Sequence, residues 1–425
     1  MSLKLRKFRG IFTVILVFVF IAWANTTDLG PVDIYYLRHA GHLLAVLGVV
    51  FLFMQFLLSS RLKQLEKGFG LDRMLSEHRL YGRIGLILVA LHFIFLMFYQ
   101  WIEFGSVLLN LNTLFGIIAL LGFTITAGIA ATHKKLGITY EIWKNIHIFN
   151  YILFPLALVH VFLNARPASL LYYLWLSLAL AYAALVLYRL HRIYYMRSHP
   201  YNVVEVTQEA ADIWSVYFEG TKFSYKPGQF LMIQLMRKGK RSSSHPFTIS
   251  SSPTRETLAI TPKELGDFTS TIKETRVGDQ AFIDAPYGVF SFLDYETDEL
   301  VFIAGGIGIT PFMSMLRYMA DMQLKKKVTL FWANKNKNNL CFQDELAKLQ
   351  EEMHAFTTVL VMSGEKDWPG EQGRINGKLL QKYLPHLERQ DFFVCGPPPM
   401  SRAVRAELEK LKIPPLKIHF EIFEL

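Results

Sequence analysis

Six apolar stretches, at about 11–24, 40–58, 80–101, 108–131, 143–163 and 169–189, constrain this chain more than any other feature. Each is long enough, or nearly so, to cross the roughly 30 Å hydrocarbon layer of a bilayer as a helix. They explain why 52% of the 425 residues are hydrophobic and the mean hydropathy is +0.26. The charge divides along the same line. Residues 1–197 hold 18 Lys/Arg and 7 Asp/Glu, a net of +11, and the remainder holds 27 and 28, a net of −1. The basic excess therefore belongs to the apolar half, as membrane topology requires. The soluble half shows no basic stripe with interleaved aromatics, which argues against a nucleic-acid partner.

Basic residues set the expected orientation. One group of loops carries Lys4–Arg9, then Arg61, Lys63, Lys67 and Arg73, then Lys134, Lys135 and Lys144, then Arg189, Arg192 and Arg197. The opposite group carries Asp28, Asp33, Arg38, Glu103 and Arg166. The positive-inside rule then puts the N-terminus and everything after residue 197 in the cytoplasm of a multi-pass cell-membrane protein. The first stretch ends Ala22-Trp23-Ala24 behind four basic residues, a pattern that also fits a cleaved signal peptide. Cleavage would leave the later orientation unchanged.

With only Cys341 and Cys395, far apart and without a CxxC, no cysteine-based metal site is available. Any redox metal must come through histidine. His78 and His92 lie on the third stretch, His147 and His160 on the fifth. An ionisable group inside a membrane is expensive, so such residues are functional candidates. Singly, each is as readily a partner for a backbone carbonyl, and His39, His42 and His133 at segment ends read that way. The pairing changes the weight. The first two are 14 apart, a rise of about 21 Å that returns to within about 40° of the same helix face. The second two are 13 apart, a rise of about 20 Å. Both segments run the same way, so His78 falls level with His147 near the cytoplasm and His92 level with His160 near the outside. Two neutral imidazoles at each level are the ligand set of a b-type haem. An ideal helix puts residues 13 apart about 140° out of phase. Pro155 lies between His147 and His160, and a distortion there is expected to re-aim one ring.

After residue 197 short β-like runs separated by Pro-Gly turns, such as Tyr201–Val206, Ile213–Phe218 and Gln229–Leu235, suggest a small antiparallel barrel. From about 299 strands alternate with helices, the mark of a parallel α/β domain. The fold class is thus a multi-domain membrane protein: a six-helix transmembrane bundle, then an antiparallel β-barrel, then a parallel α/β domain. Three motifs carry chemistry. His245-Pro246-Phe247-Thr248-Ile249-Ser250 ends a strand in hydroxyls and amides able to hold a flavin edge and its phosphates. Its partner Gly266-Asp267-Phe268-Thr269 opens a helix whose amides suit a pyrophosphate. The run Gly305-Gly306-Ile307-Gly308-Ile309-Thr310-Pro311 follows a buried strand and opens a helix, the context in which a glycine turn reads as a dinucleotide phosphate site. Cys395-Gly396-Pro397 again ends a strand, and Cys395 could bring its sulfur near the nicotinamide, although a lone cysteine is more often core.

These strings, in this order, resemble the ferredoxin–NADP reductase superfamily. Behind a six-helix bundle with paired histidines they resemble the NADPH oxidase and ferric reductase family, particularly its bacterial NADPH oxidases. The resemblance implies domains at 1–197 (bis-haem), 198–298 (FAD) and 299–425 (NAD(P)H). It implies FAD on His245, Pro246, Phe247, Thr248, Ser250, Gly266, Phe268 and Thr269, and the nicotinamide cofactor on Gly305, Gly306, Gly308, Thr310, Pro311, Cys395, Gly396 and Pro397. Two haems fall to His78/His147 and His92/His160. Relatives usually finish with an aromatic residue covering the flavin where nicotinamide docks. Here the matching position is Leu425, so Leu425 or Phe423 takes that place. Lys335 and Lys337, after the strand Val328–Trp332, favour the 2′-phosphate of NADPH over NADH.

The implied activity is an NAD(P)H oxidase passing electrons through FAD and two haems to dioxygen outside, giving superoxide. A ferric-chelate reductase is the alternative. Short outer loops with few charges, Arg38, His42 and Arg166 among them, favour dioxygen over a bulky chelate. A cytochrome that only relayed electrons would not need flavin and nicotinamide motifs on one chain. No EF-hand loop or proline-rich tail signals an obligatory protein activator.

Overall fold

The computed structural model describes residues 3–27, 34–107, 109–353 and 355–421. Asp28, Asp33, Phe423 and Leu425 lie outside the described residues. The chain forms two compact units, Met1–Ile193 and Tyr194–Leu425.

The first unit is helical, built from α1 (Leu3–Ala24), α2 (Tyr35–Ser59), α3 (Lys63–Phe69), α4 (Leu71–Phe104), α5 (Leu111–Thr132), α6 (Tyr140–Ile148), α7 (Asn150–Asn164) and α8, which starts at Leu170 and runs on to Ser198. Among the described residues six spans are long and apolar enough to cross a membrane, with α6 and α7 together making the fifth. Local chemistry sets the breaks. Gly105 ends α4 in the left-handed region (φ 63°), its N–H donating to Trp101 O at 3.0 Å. Asn110 caps α5, its side chain accepting the Thr113 N–H at 2.9 Å. Helices α2 and α4 pack through small residues, and a Cβ at Gly48 would lie 2.6 Å from Val89 Cγ1. Close backbone approach of this kind is how apolar helices associate where lipid removes the hydrophobic drive. Phe12 of α1 completes the core, stacked on Tyr81 (5.0 Å) and edge-on to Phe51 (5.1 Å).

The fifth span is interrupted as a continuous helix at Phe149, six residues ahead of the expected distortion at Pro155. Pro155 stays helical but offers no N–H to the carbonyl four residues back, that of Tyr151. Tyr182 of α8 fills that vacancy, its hydroxyl donating to Tyr151 O at 2.6 Å. Arg189 adds a second contact to the same residue, donating to the Tyr151 hydroxyl at 2.7 Å.

The second unit begins with β1 (Tyr201–Ala210), β2 (Ile213–Glu219), β3 (Phe230–Arg237), β4 (Lys240–Arg241), β5 (His245–Thr248), β6 (Leu258–Ile260) and β7 (Gln280–Tyr287). They pair antiparallel in the order β4-β3-β7-β1-β2-β6, with β5 also on β3. A bridge between Ile249 and Ile260, and the Ser250 N–H to Ala259 O bond at 2.8 Å, tie the end of β5 to β6 and close a barrel. There follow β8 (Glu299–Gly305), α9 (Thr310–Asp321), β9 (Lys327–Asn334), α10 (Gln343–Glu352), β10 (Phe356–Met362), β11 (Glu371–Gln372), α11 (Gly377–Tyr383), β12 (Asp391–Cys395), α12 (Pro398–Lys410) and β13 (Ile418–Glu421). This sheet is parallel, ordered β11-β10-β9-β8-β12-β13. Its order reverses between β8 and β12, the switch point at which such sheets bind ligands.

Candidate functional site

The four membrane histidines come together in pairs. His78 and His147 have ring centroids 6.1 Å apart, and His92 and His160 6.4 Å apart. A metal–imidazole bond is about 2 Å. Two rings on opposite sides of one ion therefore have centroids roughly 6 Å apart, and both pairs have that spacing. The Nδ1 atoms of three rings are occupied. His78 donates to Gln55 O (3.3 Å), His92 to Gly41 O (2.9 Å) and His160 to Asn112 O (2.6 Å). In those three, Nε2 is left as the available ligand atom, the arrangement that orients metal-bound histidines. His147 Nδ1 lies 3.5 Å from the Asn150 amide, which Thr126 holds in turn. The two histidines, 13 apart on one span, both meet partners on α4. A Cβ at Gly116 would lie 2.9 Å from the His160 ring, so α5 closes on that ring only through glycine.

In the barrel, His245 stacks on Phe268 with centroids 4.0 Å apart and planes at 15°, and its Nε2 is 2.6 Å from Ser243 Oγ. Phe247 flanks the same ring at 5.9 Å. The two flavin motifs are thus adjacent, with Pro246 on the same strand. Thr248 and Ser250 are buried, and the Ser250 hydroxyl accepts from Thr261 at 3.0 Å. Around Gly266 the structure differs from the expected helix opening. Thr269 starts a six-residue 3-10 turn, and its hydroxyl accepts the Leu265 and Gly266 N–H groups at 2.9 and 3.0 Å. Those two amides are engaged because the Thr269 side chain reaches back to cap the turn. A Cβ at Gly266 would meet open space, so packing within the chain does not require glycine there.

At the switch point the two glycine-bearing turns touch. A Cβ at Gly308 would lie 2.4 Å from Cys395 O, and one at Gly396 would lie 3.1 Å from Gly305 N. Only glycines allow the ends of β8 and β12 to come this close. Trp332 supports the turn, donating its indole N–H to Gly306 O at 2.9 Å, and Thr310 caps back to Ile307 O at 3.2 Å. Pro311 occupies the first turn of α9, where its missing N–H costs nothing. Cys395 is wholly buried in the apolar core, and burial pushes its thiol well above the usual range. Lys335 is exposed just past β9. The final strand is anchored by His419, whose Nε2 is 3.0 Å from Asp391 Oδ1 and whose ring lies 3.8 Å from Tyr295. Sequence reasoning missed this anchor, since nothing in the spacing of Tyr295, Asp391 and His419 announces it.

The barrel and the nucleotide sheet have the layout of an FAD- and NAD-binding reductase half, and the helical bundle supplies spans long and apolar enough to cross a membrane. Residues 44–158 match the family described as ferric reductase like transmembrane component, 204–291 an FAD-binding domain, and 302–406 an oxidoreductase NAD-binding domain. The combination matches the NADPH oxidase and ferric reductase family with a ferredoxin–NADP reductase-like dehydrogenase half, and it indicates transmembrane electron transfer. The glycine betaine monooxygenase reductase subunit of Chromohalobacter salexigens is 30% identical over 223 residues, 50% of this chain and 60% of that one. A flavohemoprotein of Halalkalibacterium halodurans is 30% identical over 247 residues, 52% of this chain and 59% of that one. The chain thus matches less than two thirds of either relative's length. A flavohemoglobin structure from Malassezia yamatoensis with bound FAD and heme aligns over 92% of this chain and 98% of that one, at 20% identity and TM-score 0.51, a likeness of fold alone.

Proposed function

We propose that the protein is a transmembrane NADPH oxidase that takes electrons from cytoplasmic NAD(P)H and delivers them to dioxygen outside, forming superoxide. The observation that carries this reading is the pair of facing histidine couples, 6.1 and 6.4 Å apart, in a chain that also has FAD- and NAD-binding domains. When bound, flavin turns a two-electron hydride donor into a source of single electrons, and two bis-imidazole haems relay those electrons one at a time. The chain's own part is to hold and space. His78 with His147 would hold the inner haem and His92 with His160 the outer. The β5 strand from His245 with Phe268 and Thr269 would hold FAD, and the Gly305–Pro311 turn with Cys395–Pro397 the nicotinamide cofactor. A buried, neutral Cys395 shapes that site without titrating in it. Lys335 supports NADPH through the 2′-phosphate, and orientation follows from the basic inner loops. In this reading Phe423 or Leu425 covers the flavin, and no protein activator is required.

The inter-helix segments assigned to the outer side are short, 25–34, 105–110 and 165–169, which suits a small acceptor better than a metal chelate. Ferric-chelate reduction is the second reading, favoured by the description of the matched transmembrane domain. NADPH-driven cytochrome c reduction by the purified protein separates them. Superoxide dismutase should abolish most of the signal. Insensitivity to dismutase, together with rapid reduction of a ferric chelate, would sink the oxidase reading.

A further inference from the structure

The helix that follows the nucleotide turn is fastened to the segment that leads out of the flavin motif, and one buried side chain does most of the fastening. Arg317 lies on α9, two turns beyond the glycines, and is only 4% exposed. Its Nη1 donates to the Ser250 carbonyl at 2.7 Å. Its Nε and Nη2 donate to the two oxygens of Glu345 on α10, at 2.7 and 2.5 Å. The guanidinium also lies over Phe342, 5.1 Å from the ring centroid. On either side along α9, Ser314 donates to Ser251 O at 2.6 Å and Asp321 accepts from Thr254 Oγ1 at 2.5 Å. Three stitches thus run between α9 and residues 250–254, with Arg317 the central one.

Stability alone does not explain a buried cation here. Replacing a buried ion pair by apolar side chains of similar volume is often neutral or stabilising, because desolvation consumes the Coulombic gain. A planar guanidinium held at three donors by two elements, however, fixes position and angle as a flexible apolar chain cannot. The parts so fixed carry the two reactants. In the reaction NADPH gives a hydride from its nicotinamide, leaving as NADP⁺, and the flavin ring gains that hydride. In reactions that depend on such positioning, a 1 Å misplacement can cost about a hundredfold in rate.

We propose that Arg317 is a positioning residue for hydride transfer, setting the separation between the nucleotide turn and the flavin strand by clamping α9 and α10 onto Ser250. The inference rests on the reading of His245–Ser250 and Gly305–Pro311 as the flavin and nucleotide sites. It is independent of the haems and of the acceptor.

The test is anaerobic stopped-flow reduction of FAD by NADPH in the purified full chain, with protiated and 4-deuterated nucleotide. Arg317→Met should bind NADPH within about threefold of wild type. Its limiting rate of flavin reduction should fall at least tenfold, with a changed deuterium isotope effect. Val404→Ala, in a buried cluster that includes none of the clamp residues, lowers stability without touching the clamp and should keep the wild-type rate and isotope effect. If Arg317→Met does not fold, Glu345→Gln and Ser314→Ala each remove part of the clamp and should each slow the step at least threefold. Wild-type rates in Arg317→Met, or in both substitutes, overturn the proposal. A wild-type chain that binds no FAD, or whose FAD is not reduced by NADPH, overturns the flavin and nucleotide reading itself, and the inference with it.

Discussion

At the scale of single residues, the membrane half turns on where four imidazole rings point. His92 illustrates the constraint from both ends, with Nδ1 given to Gly41 O at 2.9 Å and its ring 6.4 Å from that of His160. His92→Ala should remove one of two haem contributions from the reduced-minus-oxidised spectrum, while the FAD absorbance stays. A full two-haem spectrum would refute the ligand assignment. The residue types and their spacings of 14 and 13 were legible from the chain, because ionisable side chains stand out against an apolar background. Which atom of each ring is occupied was not, since Gln55, Gly41 and Asn112 meet the histidines only through folding. The Gly116 contact with His160 was hidden for the same reason.

Elements show where periodicity suffices and where it does not. The six apolar runs correspond, among the described residues, to six helical spans long and apolar enough to cross a membrane, and the alternation after residue 299 became a parallel sheet. The fifth span is instructive. Pro155 could be read directly as a lost hydrogen bond, but the helix is interrupted at Phe149, and the freed Tyr151 carbonyl is met by Tyr182 of another helix. Tyr182→Phe leaves that carbonyl without its donor in an apolar setting. Polar contacts between membrane helices are worth about 0.6–2 kcal/mol. The variant should lose roughly that much stability in a detergent unfolding series, and no loss would show that Tyr151 finds another donor. In the soluble half the turn at Gly266 shows the reverse case. The sequence pattern suggested free amides, and a threonine three residues on takes two of them.

For the whole molecule, the charge division into +11 and −1 bears on topology more than on fold. If the basic loops are cytoplasmic, inverted membrane vesicles should oxidise added NADPH and intact cells should not. Oxidation by intact cells at the vesicle rate would reverse the orientation.

By itself the sequence determined the class: apolar length supplies six runs able to cross a membrane, strand–glycine–helix order points to a nucleotide domain, and the residue types limit any metal site to histidine ligands. These are properties of local composition and spacing, available along one dimension. Tertiary structure decided the pairing of rings at 6.1 and 6.4 Å, the meeting of Gly308 with Cys395 O, and the clamp of Arg317 on Ser250 and Glu345. Each joins residues on different elements, and only packing, with the demand that buried polar groups find partners, brings such residues together.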